Sequence, residues 1–538
     1  MLVVALVFFS LGASLADPWW SKAIYYRLLV DSFKDLDGNG LGDLEGATKQ
    51  LSYVRAIGAD AVILSPISEK SLDCNSPGTI DFVNIETRYG TIDNFNALLA
   101  KANKLELKVL ITLQLQTISS NSILFNSSAE RKTGFEDGIV WISGAAEEAP
   151  ASRAFRNWTW HEYRGAYYAT VNKEAILNIC SESVVAMLSE AMCEWLKRGA
   201  AGVLLNPDFL MNYECGQKLV KRIAKEAVAC SGNQHYDLPV ILVESSLEAE
   251  VATKYYAEGG VGANSVISYA FSTKAKRPAV GLALDLHAAL LYSPQDTTPA
   301  WLTSTSDGNR IATRYGSEMV DAIILLTLIL PGSVIIQQGD ELGVADTILD
   351  WTNTTNCWPM NYIPSAAPFP WDNSPKANFT TGEPWMPLPP NYRYKNAKSE
   401  YGNELSHVSV MKIASAMRKS AAIGPHVEIK VLKDALAILR WGGGGSLLVV
   451  SNLGTGSTEA QLSEIPGLPA EMTVASSSGG SSLSLGNHIT VGKTLKLSHG
   501  ETVLLVGPPR HCGGPGPVDK ITSKLSEGWQ KINKYFNL

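Results

Sequence analysis

WWSKAIYYRLLVDSFKDLDGNGLGDLEG, residues 19–46, is the stretch from which the fold can be read. Residues 23–29 form an apolar, aromatic run of strand length. The run gives way to Asp35-Leu-Asp-Gly-Asn-Gly-Leu-Gly-Asp43, where oxygen-bearing side chains alternate with residues that permit a tight loop. That spacing suits a hard cation such as Ca²⁺, with Asp35, Asp37, Asn39, the Leu41 carbonyl and Asp43 as ligands. It differs from an EF-hand, because it follows a strand and its twelfth position is Gly46 instead of Glu.

The strand-and-loop pattern recurs downstream. Short β-branched runs at 61–65, 108–113, 202–206, 240–244 and 333–337 are separated by amphipathic segments such as 92–104 and 183–197. This alternation predicts parallel strands joined by crossover helices. Eight such units close a (β/α)₈ (TIM) barrel of the α/β class, with its chemistry at the strands' C-terminal ends. The third unit is broken by residues 114–180, too long for an ordinary βα loop and rich in Trp141, Trp158, Trp160 and Tyr167. We expect a folded insertion there, dividing the barrel into 17–113 and 181–428. From residue 429 to 508 short alternating strands with Gly and Ser turns predict a C-terminal antiparallel β-sandwich. A Pro/Gly-rich link and a helical tail complete 509–538.

Of the 538 residues, 45% are hydrophobic and 18% charged, and the formal net charge is −7. Nucleic acid is therefore not an expected partner, since its phosphates need a concentrated basic face. Residues 1–16, MLVVALVFFSLGASLA, read as a cleaved signal peptide, too short for a membrane span, and predict a secreted, extracellular protein. The sequons at Asn126, Asn157, Asn353 and Asn378 fit that route as glycosylation sites. Cys74, Cys180, Cys193, Cys215, Cys230, Cys357 and Cys512 make an odd set, which leaves a thiol free or paired to another chain. A local bridge between Cys215 and Cys230 is the expected pair.

Further motifs carry a family resemblance. RYGT at 88–91, WTWHEYR at 158–164, PGSVIIQQGDELG at 331–343 and PFPWDNSPKANFTTGEPWMPLPPNY at 368–392 join the opening stretch. Together they resemble the α-amylase superfamily of glycoside hydrolases (family 13), most closely the insect maltases, or α-glucosidases. The resemblance implies a catalytic barrel, an insertion after strand three, a C-terminal sandwich and a structural calcium in the first βα loop.

The same resemblance implies where a catalytic site lies and that it is degenerate. Retaining glycosidases use a carboxylate nucleophile and a carboxylic acid flanking the scissile bond. The family's Arg-x-Asp on strand four falls on Leu204 and Asn206, so an amide stands at the nucleophile position. A neutral amide has no charge with which to attack or to stabilise an oxocarbenium ion. The general acid matches Glu244, the stabilising carboxylate Asp307, and Arg310 follows as a substrate-binding position. Other positions have changed: the strand-three Asp is Thr112, the Asn-His after it Gln116-Thr117, the sugar-gripping Tyr-Asp Pro77-Gly78, and the Asn-His before Asp307 is Thr305-Ser306. Asp208, two residues beyond Asn206, is the alternative nucleophile, about 6–7 Å further along a strand.

The expected function is a maltase-like pseudoenzyme acting through a small molecule or protein partner; the alternative is a weak or altered α-glucosidase acting on maltose- or sucrose-type sugars. In the tail, Val518, Ile521, Leu525, Trp529, Ile532 and Phe536 recur at steps of three and four, with Lys520, Lys524, Lys531 and Lys534 beside them. Such a helix either folds back on its own domain or meets a partner or membrane surface.

Overall fold

The computed structural model describes residues 18–143, 157–207, 213–231, 238–272, 278–294, 297–349 and 363–510. The signal segment, Asn353, Asp208, Cys357, Cys512 and the tail at 518–538 lie outside the described residues.

Eight parallel strands close into a barrel: β1 (Ile24–Leu28), β2 (Ala61–Leu64), β3 (Lys108–Leu113), β4 (Gly202–Leu205), β5 (Val240–Glu244), β6 (Ser265–Ser268), β7 (Ala300–Leu302) and β8 (Ser333–Gln337). Each pairs with its neighbours in sequence, and β8 returns to β1 with Tyr25 opposite Ile335. Period-two alternation sends Tyr25, Ile63, Leu110, Leu204, Leu242, Ile267, Leu302 and Ile335 into the barrel, where they pack together. Val62, Val203, Ile241, Val243 and Val334 point outward and join the helices in a larger core. The lumen is therefore filled by side chains, and only the strand ends are open to a ligand.

The helices carry the signals expected of them. Asp43 caps Leu44–Ala56 by accepting from the Gly46 N–H, and a capping box opens Ile92–Lys104 at Thr91. Between β3 and the helix Glu182–Lys197, the insertion forms a small antiparallel sheet ordered Thr117–Ile118, Glu174–Ile176, Ala166–Val171, Trp141–Ile142. Asn157–His161 also pairs with Ala166–Val171. Phe125, Trp141, His161 and Tyr168 stack beside it, with the Arg164 guanidinium 4.3 Å from the Trp141 ring centroid.

The C-terminal region is a six-stranded antiparallel sheet whose first strands are His426–Leu432, Ala435–Trp441 and Ser446–Asn452. Ile429, Leu436, Ile438, Leu447 and Val449 face the barrel's core. Leu432, Ala437, Leu439, Leu448 and Val450 face away, covered by the two-stranded ribbon of Thr458–Gln461 and Thr494–Leu497. Between barrel and sheet runs the helix Val320–Ile329, buried along its whole length and apolar but for Asp321 and Thr327. Its Asp321 carboxylate is 2.6 Å from His407 Nδ1 and accepts from the Gly479 N–H at 2.9 Å, so it ties two helices to the sheet domain.

The expected Cys215–Cys230 bridge is not formed. Both cysteines lie near opposite ends of one helix, Tyr213–Cys230. At 1.5 Å per residue that separates them by about 22 Å, against the ~6 Å a disulfide allows. The bridges are Cys180–Cys215 and Cys193–Cys230. The second staples Tyr213–Cys230 to the helix Glu182–Lys197, and Cys74 is also disulfide-bonded.

Replacing Asp321 with alanine strands a ring N–H and a backbone N–H in the interior. At about 1–3 kcal/mol per unsatisfied buried group, the variant should lose roughly 3 kcal/mol of stability in a urea melt. A loss within ±0.5 kcal/mol, typical of surface changes, would show that this tie does not hold the domains together.

Candidate functional site

At the C-terminal end of the barrel, the next inward positions after the packed layer are polar. Arg27 follows Tyr25 on β1, and Glu244 follows Leu242 on β5. The two meet across the lumen: Arg27 Nη2 donates to Glu244 Oε2 at 2.8 Å and Nη1 to Oε1 at 3.2 Å. Tyr269, just past β6, donates its hydroxyl to Glu244 Oε1 at 3.1 Å. Burial, and next the neighbouring carboxylate of Glu244, push the Tyr269 phenol up and keep it a donor; Asp307 adds a smaller push in the same direction.

Asn206 lies one step beyond β4. Leu205 pairs with Val243, so the register brings Asn206 alongside Glu244, on strands about 4.8 Å apart. The amide and the matched acid are thus neighbours at the mouth. Leu204, at the family's arginine position, is packed inside the barrel. The guanidinium that serves this mouth comes from β1 instead. A general acid must present a proton to a leaving oxygen. Here both Glu244 oxygens accept hydrogen bonds, in a fork-to-fork pair with Arg27 and from Tyr269, which fixes the orientation of the carboxyl group.

Loops following β1, β2 and β3, with the insertion, shape a cleft of about 220 Å³ lined by Asp31, Lys70, Gly78, Gln114, Glu174 and Ser306, among others. Glu174 comes from the insertion and accepts the Thr117 hydroxyl's hydrogen bond. It covers Gly78, where φ is +101° and an added Cβ would sit 3.1 Å from the Glu174 carboxyl carbon. Gly78 and Thr117 thus both lie against an insertion carboxylate. Burial raises the Glu174 and Asp31 carboxyls above their ordinary range. Burial lowers the Lys70 ammonium, against the opposing pull of Asp31 and Glu174.

Asp307 is exposed on the loop after β7. Arg310 is buried: its Nη1 donates to the Gln338 carbonyl, and its backbone N–H to Asp346 Oδ1 at 3.0 Å. Its guanidinium pins the turn after β8 beneath the mouth.

In the first βα loop, the carboxylates of Asp35, Asp37 and Asp43 converge to within 4.8 Å of one another. Gly38 and Gly40 take the positive φ the loop needs. Burial first, and the neighbouring Asp35 and Asp43 charges in addition, raise the Asp37 carboxyl, as expected of like charges gathered together. Three hard oxygen donors at this spacing fit a divalent cation. Asn39 and Leu41 are engaged within the loop: the Asn39 amide donates to Asp37 Oδ2 at 2.9 Å, and its oxygen accepts from the Leu41 N–H at 2.7 Å. Thr380 donates its hydroxyl to Asp35, and Asp35 N–H bonds the Phe379 carbonyl, so the segment bearing exposed Asn378 packs on this loop. Asn126 and Asn157 are exposed as well.

A closed (β/α)₈ barrel with acidic residues at its mouth, an insertion after the third strand and a C-terminal antiparallel sheet defines a class of glycoside-hydrolase-like barrels. The alpha-amylase catalytic domain matches residues 27–211 and 232–424, and the chain belongs to that family. Maltase 1 of Drosophila virilis is 28% identical over 518 residues, covering 85% of this chain and 82% of its own length. A salivary alpha-glucosidase of Anopheles gambiae is 25% identical over 462 residues, 74% and 78% of the two chains. Bacillus licheniformis trehalose-6-phosphate hydrolase shares the fold with a TM-score of 0.77 at 22% identity, over 91% of this chain and all of that one.

Arg27 and Glu174 are the functional candidates that sequence reasoning missed. Arg27 carried a signal, a charge inside an apolar strand run; Glu174 carried none, because only folding of the insertion brings it to the mouth. Both side chains of the Arg27–Glu244 pair are buried, so Arg27→Leu should cost about 3–5 kcal/mol by stranding a carboxylate. The double change Arg27→Leu with Glu244→Leu should recover most of that loss. Additive losses in denaturant melts of the two single variants and the double would contradict the coupling.

Proposed function

We propose that this protein is a secreted, non-hydrolytic member of the alpha-amylase family that uses its reshaped barrel mouth to bind a small molecule or a protein partner. The observation that carries the reading is the pairing at strands β4 and β5. An amide stands at the nucleophile position, beside an acid whose two oxygens are engaged by Arg27 and Tyr269. Without a nucleophile no glycosyl ester forms, and without a free proton donor the leaving oxygen is not protonated. The apolar leader at 1–16 and the salivary name of one relative support secretion. Exposure of Asn126, Asn157 and Asn378 is what a glycoprotein requires.

A second reading, a weak or altered α-glucosidase, draws on the maltase and alpha-glucosidase relatives and on the presence of Glu244 and Asp307, whose charges both act on Tyr269. The discriminating measurement is hydrolysis of maltose, sucrose and an aryl α-glucoside by purified protein. The expected turnover is undetectable, and a value above about 1 s⁻¹ would overturn the non-hydrolytic reading. Asn206→Asp alone should restore nothing, because Arg27 still holds Glu244 and Leu204, Gly78 and Thr117 do not grip a sugar as the family's residues do. Strong activity in that variant would show that the mouth still recognises glucose.

We also propose that Asp35, Asp37 and Asp43 hold a calcium ion that stabilises the barrel, with Asn39 and the Leu41 carbonyl completing the set. A ligand bound only by the folded state adds about 2.7 kcal/mol at 100 times its Kd. The melting midpoint should therefore fall on addition of a chelator and return with Ca²⁺. An unmoved midpoint, with no metal found by elemental analysis, would reject this assignment.

A further inference from the structure

The helix Ala279–Leu291 packs one side against the C-terminal sheet strands His426–Leu432 and Ala435–Trp441, burying Ala279, Leu282, Ala283 and Leu286. Its other side is also apolar. Val280, Leu284 and Leu291 are 56%, 65% and 77% exposed, and with His287 they form a single stripe at steps of four, three and four. Tyr292 extends it, 37% exposed. An apolar stripe about three turns long on a helix that is already seated is not accounted for by the domain's own packing.

The chain arrives close to this helix. Arg510, the final described residue, pairs with Glu428 at 2.6 Å, lies 4.9 Å from the Trp441 ring and donates to the Pro466 carbonyl at 2.7 Å. Glu428 belongs to His426–Leu432, the edge strand on which Ala279–Leu291 rests. Glu428 points to the sheet's outer face, since its neighbour Ile429 packs in the barrel-side core. The chain therefore has only one edge strand to round. Residues 511–517, HCGGPGP, can span up to about 23–25 Å, roughly two helix diameters. Beyond them the apolar positions Ile521, Leu525, Trp529 and Ile532 cover the same axial length as Val280 to Leu291.

We infer that the segment 518–538 folds back as an amphipathic helix and docks on the exposed face of Ala279–Leu291. The occupant is this chain's own tail. The tether places it within reach, the two stripes match in length and chemistry, and docking covers both at once. Gly528, beside Trp529, lets the two helices approach closely at the centre of the contact. This inference is independent of whether the barrel mouth hydrolyses sugars.

The test is hydrogen exchange on the full-length secreted protein, read out by peptide mass spectrometry at several concentrations. In the full chain carrying Leu525→Glu and Trp529→Glu, peptides covering 279–291 should exchange faster by roughly tenfold or more. Reciprocally, the surface change Leu284→Glu should speed exchange in 518–536, because coupling between two sites is mutual. Leu284 is exposed, so that variant is expected to fold and keeps the test open if the tail variant is poorly behaved. Protection of 279–291 that is unaffected by the tail changes would overturn the inference. Protection that grows with protein concentration would assign the stripe to a second copy, and protection that appears only with anionic phosphatidylserine vesicles would assign the tail to a membrane surface. Either result would overturn it too.

Discussion

Closure of eight short strands into one barrel is the constraint from which the rest follows. Once β8 pairs with β1, every second side chain must share a lumen that water does not fill. Tyr25, Leu204, Leu242 and Ile335 meet that demand as packed apolar groups. The polar groups one step higher meet it only by pairing with one another, as Arg27 and Glu244 do. The same closure leaves the outer faces of the strands apolar, which draws in the helices and, through the buried helix Val320–Ile329, the C-terminal sheet.

How much of this was legible in the sequence depended on how local each signal was. β1 to β5 and β8 are apolar runs bounded by turn residues, and each is found within one residue of its expected place. β6 is an apolar pair between two serines and β7 only Ala-Trp-Leu, so neither makes a continuous apolar run that marks a strand. Within the region 429–508, Ala435–Trp441 and Ser446–Asn452 are legible as strands because they alternate cleanly between two cores. Cysteine pairing was not legible. It depends on which helices lie side by side, and Cys215 and Cys230 were close in sequence only until a helix held them apart.

The mouth divides in the same way. Glu244 and Asn206 could be placed from their own strands, and the register sets them side by side. Arg27 could be seen as a charge in an apolar run, but not its partner, which lies on the opposite side of the barrel. Glu174 reached the cleft through an insertion whose path no local pattern reveals. Arg310 was readable as a motif position. Its burial, with the guanidinium turned to the Gln338 carbonyl, depends on the turn after β8.

Charge balance links Asn206, Arg27 and Glu244 at the mouth. A carboxylate at position 206 would stand one strand spacing, about 4.8 Å, from Glu244, and two like charges in a half-dry mouth raise one another's proton affinity. That tension suits an acid and a nucleophile with divided roles. With Asn206 the second charge is gone, and a single guanidinium can neutralise the remaining carboxylate one for one. Arg27 does so from β1, and Leu204 fills the lumen with carbon. An unpaired Arg27 or an unpaired Glu244 would each be a buried charge without a partner. A buried pair of this kind contributes little net stability, yet it fixes the orientation of both groups.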